Sequence, residues 1–243
     1  MKNIFKKLIE GFGAYFFKHY LNRNKFNPVD KFILEENADS YEHFKKYFSS
    51  SMLFKRGIDE VGESIRKYSI NQALLLKEKN LIFTEFGVFK GTSTKLFSKI
   101  LSKFDKKIYC FDSFEGLSTD WQGTSFAKGH FKLNKSEIPN FANNVELVVG
   151  DVFNTLEKTI TALANVKVCF IHLDLDVHEP TKYVLNKLKS KLTDGAIILF
   201  DQIHHVQGWR SEYKALTDTF NDNEYKFIAF SEDGQAAIRY IKK

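Results

Sequence analysis

Two rhythms of apolar and polar residues divide this chain. From residue 80 onward, short apolar runs alternate with stretches of helical period. The runs Leu81–Val88, Lys107–Phe114, Val145–Val149, Val168–Asp176 and Ala196–Asp201 read as strands. Between them, Gly91–Leu101, Thr155–Ala164, Pro180–Leu192 and Trp209–Phe220 repeat their apolar positions every three or four residues, as amphipathic helices do. Strands as continuously apolar as Val168–Leu173 suit a sheet covered on both faces, and the β/α alternation predicts a parallel, doubly wound sheet. The end of the chain breaks the rhythm. Tyr225–Phe230 and Ala236–Ile241 are joined by a short segment containing Asp233-Gly234, a hairpin signal. A three-layer α/β fold follows, its mostly parallel sheet of seven strands ending in an antiparallel hairpin.

The first 79 residues follow the helical rhythm instead. Ile4, Phe5, Leu8, Ile9, Phe12, Tyr15 and Phe16 recur at helical spacing with lysines between them. Further helical stretches cover about Ser40–Phe54 and Asp59–Lys77. The division expected is a helical cap or oligomerisation segment at 1–79 and a catalytic domain at 80–243.

Composition sharpens this in three ways. With 43% hydrophobic residues and a net charge of only +6, the chain has the makings of a packed core and not of a disordered polymer. Of that charge, +5 belongs to residues 1–25, so the basic balance is local. Only five arginines stand among the 36 basic residues, which argues against nucleic acid as a partner, since Arg is the fork that reads phosphate and guanine. The basic aromatic segment at the start fits either a peripheral contact with an anionic membrane or a contact between copies of the chain. No apolar run is long enough to span a bilayer. Cys110 and Cys169 lie in apolar strand runs and read as reduced core thiols, which places the protein in the cytoplasm.

The chemistry sits at strand ends. Glu85-Phe86-Gly87-Val88-Phe89-Lys90-Gly91 closes one strand and opens a helix at Thr92. The spacing is E-x-G-x-x-x-G, unlike the G-x-G-x-x-G that presents a helix N-terminus to a pyrophosphate. A looser loop behind an acid suits a ligand with a sulfonium and an amino-acid tail. Asp112 follows Gly91 by 21 positions, where an acid takes the ribose hydroxyls of an adenosine. Gly150-Asp151 ends the next strand, suitably for an adenine amino group. Asp174 and Asp201 end two strands that should be neighbours, and with Gln202 they offer the hard oxygens that a cation such as Mg²⁺ prefers.

These motifs, with Phe111-Asp112-Ser113-Phe114-Glu115-Gly116-Leu117 and the aspartate pair leading into Glu179-Pro180-Thr181, resemble the class I S-adenosylmethionine-dependent methyltransferases of the macrocin O-methyltransferase (TylF-type) family. The resemblance covers about Leu81–Lys243. It implies the Rossmann-like methyltransferase sheet and methyl transfer to a hydroxyl of a small molecule, often a sugar. It implies that Glu85, Gly87 and Gly91, with Thr92, line the methionine end of S-adenosylmethionine. Asp112 and Ser113 would bind its ribose, and Asp151 and Val152 its adenine. Asp174, Asp201 and Gln202 would bind Mg²⁺, with Asp174 near the transferred methyl. Gln202 departs from the family, which carries a second Asp there; the change lowers the charge of the site by one.

The acceptor oxygen must lose a proton, and Asp174, His204 and His205 are the candidate bases. Trp121 and the long connection from Glu115 to Asn144 suit a lid or an acceptor wall. Two other readings stand beside the methyltransferase: an NAD-dependent oxidoreductase on the same kind of sheet, and an inactive cofactor-binding interaction protein.

Overall fold

The computed structural model describes residues 40–243 apart from 41, 56–61, 123, 164 and 205–208. The basic segment at 1–25 and His205 therefore lie outside the described residues.

A helix over 42–48 (α1) opens the described chain. The Ser50 hydroxyl then bonds back to the Tyr47 carbonyl at 3.1 Å as the helix ends, and the Ser51 hydroxyl reaches the Phe227 carbonyl at the same distance. That contact starts a short edge strand, β1 (Met52–Phe54), where the sequence pattern continues the helix. Helix α2 (Glu63–Leu74) follows. The alternating core comprises β2 (Leu81–Phe86), α3 (Thr92–Leu101), β3 (Ile108–Asp112), β4 (Val145–Val149), α4 (Val152–Ala162), β5 (Lys167–Leu173), α5 (His178–Lys189) and β6 (Leu192–Phe200). A π-helical turn at Trp209–Tyr213 leads into α6 (Lys214–Thr219), then β7 (Tyr225–Ser231) and β8 (Ala236–Tyr240).

The sheet has eight strands in the order β1-β7-β8-β6-β5-β2-β3-β4. β8 runs antiparallel to both its neighbours, and the other pairings are parallel. The expected parallel sheet with a terminal antiparallel hairpin is therefore present. The strand count is eight and not seven, because Met52–Phe54 pairs with Ala229–Ser231 at the edge. Such a short strand carries too little alternation to be read, and its outward residues Met52 and Leu53 are apolar yet exposed.

Apolar side chains cover both faces, which explains the unbroken apolar strands. On one face Phe86, Phe111, Ile171, Ile198 and Phe200 pack with Leu156 of α4, Val184 of α5 and Leu216 of α6. On the other, Phe83, Cys110, Phe170, Ile197 and Leu199 pack with Ile65 and Ile70 of α2 and Phe97 of α3. Consecutive residues such as Ile197 and Ile198 serve opposite faces, as the pleat requires. β1 and α2 are thus built into the sheet and its cover. Both cysteines are buried and free, as expected. No described helix is long and apolar enough to cross a membrane.

The register places the chemistry at one edge. β2, β3, β4, β5 and β6 run parallel, so their carboxyl ends Phe86, Asp112, Val149, Leu173 and Phe200 emerge on the same side of the sheet. Open α/β sheets bind ligands there.

Candidate active site

Gly87 leaves β2 with φ +88°, and its N–H donates to the Phe111 carbonyl at 3.0 Å. A Cβ at this position would sit 1.8 Å from the Asp174 carbonyl oxygen, so only glycine lets the loop pass between the ends of β3 and β5. Phe89, also at positive φ, turns the loop next. The N–H groups of Val88 and Phe89 both donate to Asp112 Oδ2, at 2.7 and 2.8 Å, and that of Phe114 donates to Oδ1 at 2.7 Å. Asp112 therefore pins two loops to the end of β3. Asp151 caps α4 by accepting from the Phe153 N–H at 2.9 Å.

These residues border a cavity of about 340 Å³. Of the residues expected in the site, Gly87, Asp112, Ser113, Asp151, Val152, Asp174, Asp201 and Gln202 line it. Asp176, Leu117, Trp121, Phe131 and Pro180 line it as well. Trp121 is thus both a wall of the cavity and a packed side chain, forming an apolar cluster with Leu117 and Val177. The connection from 115 to 144 folds on itself through backbone bonds such as Leu117 N–H to the His130 carbonyl at 2.9 Å.

Four expected residues stand outside the cavity lining, each for a visible reason. Glu85 is fully buried on the face toward α3, where its oxygens accept from the Ser93 and Thr94 hydroxyls at 2.5 and 2.6 Å and meet His172 Nδ1 at 3.1 Å. It ties the helix start to the strand. Gly91 lies against the Phe141 ring, which covers the helix start, and Thr92 faces solvent. His204 bonds through Nε2 to the Gln235 carbonyl at 3.0 Å, with its ring edge on Phe44 and Phe230. These contacts turn it away from the acids that line the cavity.

The acids at the ends of β5 and β6 form one network with groups absent from the sequence motifs. Asp201 Oδ1 accepts from the Arg66 guanidinium at 2.7 Å and from the Gln235 amide. His172 Nε2 lies 3.7 Å from the same oxygen. The Gln202 amide nitrogen donates to Asp176 at 3.1 Å and to Asp201 Oδ2 at 3.3 Å, while its backbone N–H donates to the buried Glu212 at 2.9 Å. Burial alone would raise Asp201, but the nearby His172 ring and the Arg66 guanidinium outweigh it and hold this carboxyl well below its usual range. Burial likewise opposes charge on His172, yet the Asp201 carboxylate 3.7 Å away and the hydrogen-bonded Glu85 raise it to about 9. Burial, then the charge of Asp201, pushes Asp174 and Glu212 well above ordinary carboxyls. Asp176 is raised to about 7 by burial, against the Gln202 hydrogen bond. Arg66, Glu212 and Gln235 carry no local motif; they arrive from a helix start, a π-helical turn and a hairpin.

His172, Asp174 and Asp201 bring one ligand atom each within 4.8 Å of one another, a spacing that suits a cation. The donors around them do not suit one. Asp201 Oδ1 already accepts from a guanidinium and an amide. Gln202 turns its amide nitrogen toward the Asp176 and Asp201 carboxylates. The expected Asp174/Asp201/Gln202 trio therefore does not form an oxygen cage for Mg²⁺.

Residues 84–203 match the family model of a methyltransferase domain. Among solved structures, the calicheamicin methyltransferase CalS11 is similar at a TM-score of 0.64 and 19% identity, over 88% of this chain and 94% of that one. An apo structure of CalS11, described as a TDP-rhamnose 3'-O-methyltransferase of calicheamicin biosynthesis, gives 0.57 and 18%, over 88% and 96%. The O-methyltransferase NovP gives 0.56 and 17%, over 74% of this chain and 79% of that one. No curated protein matches the sequence. The domain match decides against the nicotinamide-dependent alternative, and the fold is that of the Rossmann-like methyltransferases.

Proposed function

We propose that this S-adenosylmethionine-dependent methyltransferase acts on a hydroxyl of a small polyhydroxyl molecule, a sugar or glycan precursor, in the cavity at the carboxyl edge of its sheet. One observation carries the reading: a single cavity has Gly87, Asp112, Ser113, Asp151 and Val152 on its walls together with Asp174 and Asp176. The first set suits a nucleoside with an amino-acid tail, and the second suits a hydroxyl that must be deprotonated. CalS11, described as a TDP-rhamnose 3'-O-methyltransferase, supports a sugar as the acceptor class.

On this reading Asp112 and Ser113 hold the ribose hydroxyls. A carboxylate has about four lone-pair sites, and Asp112 uses three for backbone N–H groups, which leaves one for a ribose hydroxyl. Asp151 keeps its second oxygen for the adenine amino group beside Val152. The Gly87 main chain faces the methionine end, while Glu85, Gly91 and Thr92 shape that loop from behind. When bound, the cofactor supplies a methyl group activated by a sulfonium.

The chain's own work is positioning, drying and proton transfer. Leu117, Trp121, Phe131 and Pro180 give the cavity an apolar wall that excludes water, with Val177 packed behind Leu117 and Trp121. Asp176 takes the hydroxyl proton. Its pKa of about 7 leaves it partly ionised at neutral pH and still basic enough to act, near the optimum for a general base. Asp174, which burial and the charge of Asp201 push well above the ordinary carboxylate range, stands beside it on the cavity wall. No step in this scheme passes through Mg²⁺. The test is transfer of labelled methyl to a panel of nucleotide-linked and free sugars. Transfer to one member, lost in Asp176→Asn, supports the reading. Transfer to no member of the panel, or transfer that Asp176→Asn leaves unchanged, refutes it.

A further inference from the structure

Arg66 brings a fixed positive charge into the carboxylate cluster from an element with no part in the cofactor motifs. It sits one turn into α2, its backbone N–H donating to the Gly62 carbonyl at 3.1 Å. From there the guanidinium reaches Asp201 Oδ1 at 2.7 Å, and both side chains are largely buried. Gln235, from the β7–β8 turn, donates to the same oxygen. Its carboxamide fills the space where a side chain at residue 62 would stand, since a Cβ there would meet Gln235 Oε1 at 2.3 Å. The helix start and the hairpin turn are thus fitted to each other around Asp201.

A bound divalent cation would need lone pairs from Asp174, Asp201 and a third ligand at about 2.0–2.1 Å for Mg²⁺. Three of the local donors point the other way. Arg66 and Gln235 consume the Asp201 oxygen nearest His172, and the Gln202 amide presents N–H to the other Asp201 oxygen and to Asp176. A guanidinium in hydrogen-bond contact with a would-be ligand also repels the incoming dication, weakly screened at such depth. The cluster is balanced from within. Arg66 and Gln202 work together: the second lowers the negative charge of the site, and the first neutralises what remains.

We propose that Arg66 holds the place a divalent cation would take, so that the acidic cluster is complete without metal. Arg66 is on this view a positioning residue that acts through Asp201, fixing its carboxylate beside Asp174 and Asp176. The proposal deepens the reading of this cavity as a methyl-transfer site, yet its test does not depend on methyl transfer.

The test uses Mn²⁺ as the probe on the full chain, followed by loss of the free-ion electron paramagnetic resonance signal, together with thermal midpoints with and without Mg²⁺. Wild type is expected to bind no Mn²⁺ in the submillimolar range and to show no Mg²⁺-dependent midpoint. Arg66→Met uncovers the carboxylates and is expected to gain one ion at least about tenfold more tightly, the scale of removing one close like charge, with a midpoint that rises in Mg²⁺. Arg66→Lys, which keeps the charge, is expected to behave as wild type. A submillimolar Mn²⁺ site in wild type that Asp201→Asn abolishes overturns the proposal. So does a folded Arg66→Met that binds no better than wild type. If Arg66→Met does not fold, the wild-type and Asp201→Asn pair decides by the same criterion. Calorimetry with S-adenosylhomocysteine on the same samples separates the two claims, because failure to bind it refutes the methyltransferase site and leaves the metal result standing.

Discussion

Gly87 and Asp176 show how much rests on single atoms in this site. A Cβ at Gly87 has nowhere to go, with φ at +88° and the Asp174 carbonyl 1.8 Å away. Gly87→Ala should therefore destabilise the fold by about 2–4 kcal/mol, from left-handed strain plus overpacking. A lowered denaturant midpoint with an unchanged slope would register it. Asp176 governs pH. Its ionised form is the base, so the rate of methyl transfer should rise with pH through about 7 and level off above it. Asp176→Asn should remove that limb and lower kcat by about 10²–10⁴-fold. The cysteines are the converse case. Burial pushes both thiols up, the more so at Cys110 beside Glu85, so a thiol reagent should find neither in the native protein and both after denaturation.

At the level of elements, the motif-bearing strand ends were legible and their partners were not. Gly87, Asp112, Asp151, Asp174 and Asp201 follow strands in the sequence, and parallel register then brings them to one edge. Glu85 lies outside the cavity lining because strand alternation turns it toward α3, where it accepts from the Ser93 and Thr94 hydroxyls. His204 lies outside it for a related reason: the residue after Ile203 bonds back to the Gln235 carbonyl at the hairpin. Arg66, Glu212 and Gln235 come from three separate elements, and only tertiary packing brings them to the β5 and β6 ends. Asp151 serves both as cap and as lining residue. Asp151→Ala should cost about 1 kcal/mol of stability through the lost cap, and should weaken S-adenosylhomocysteine binding as well, by calorimetry.

At the scale of the molecule, the cavity-lining residues lie between Gly87 and Gln202, almost coextensive with the methyltransferase domain match at 84–203. The basic segment at 1–25, which holds +5 of the net charge, is therefore expected to leave cofactor affinity untouched when removed, while liposome binding or assembly state changes. Loss of liposome binding would assign it to an anionic surface, and loss of assembly to a contact between copies. The measurement that bears most directly on the central claim is calorimetric titration of S-adenosylhomocysteine into wild type and Asp112→Ala. The account predicts one site per chain in wild type and an affinity lower by about tenfold or more in the variant, the scale of a lost charged hydrogen bond. No binding to wild type, or equal binding in a folded Asp112→Ala, would contradict it.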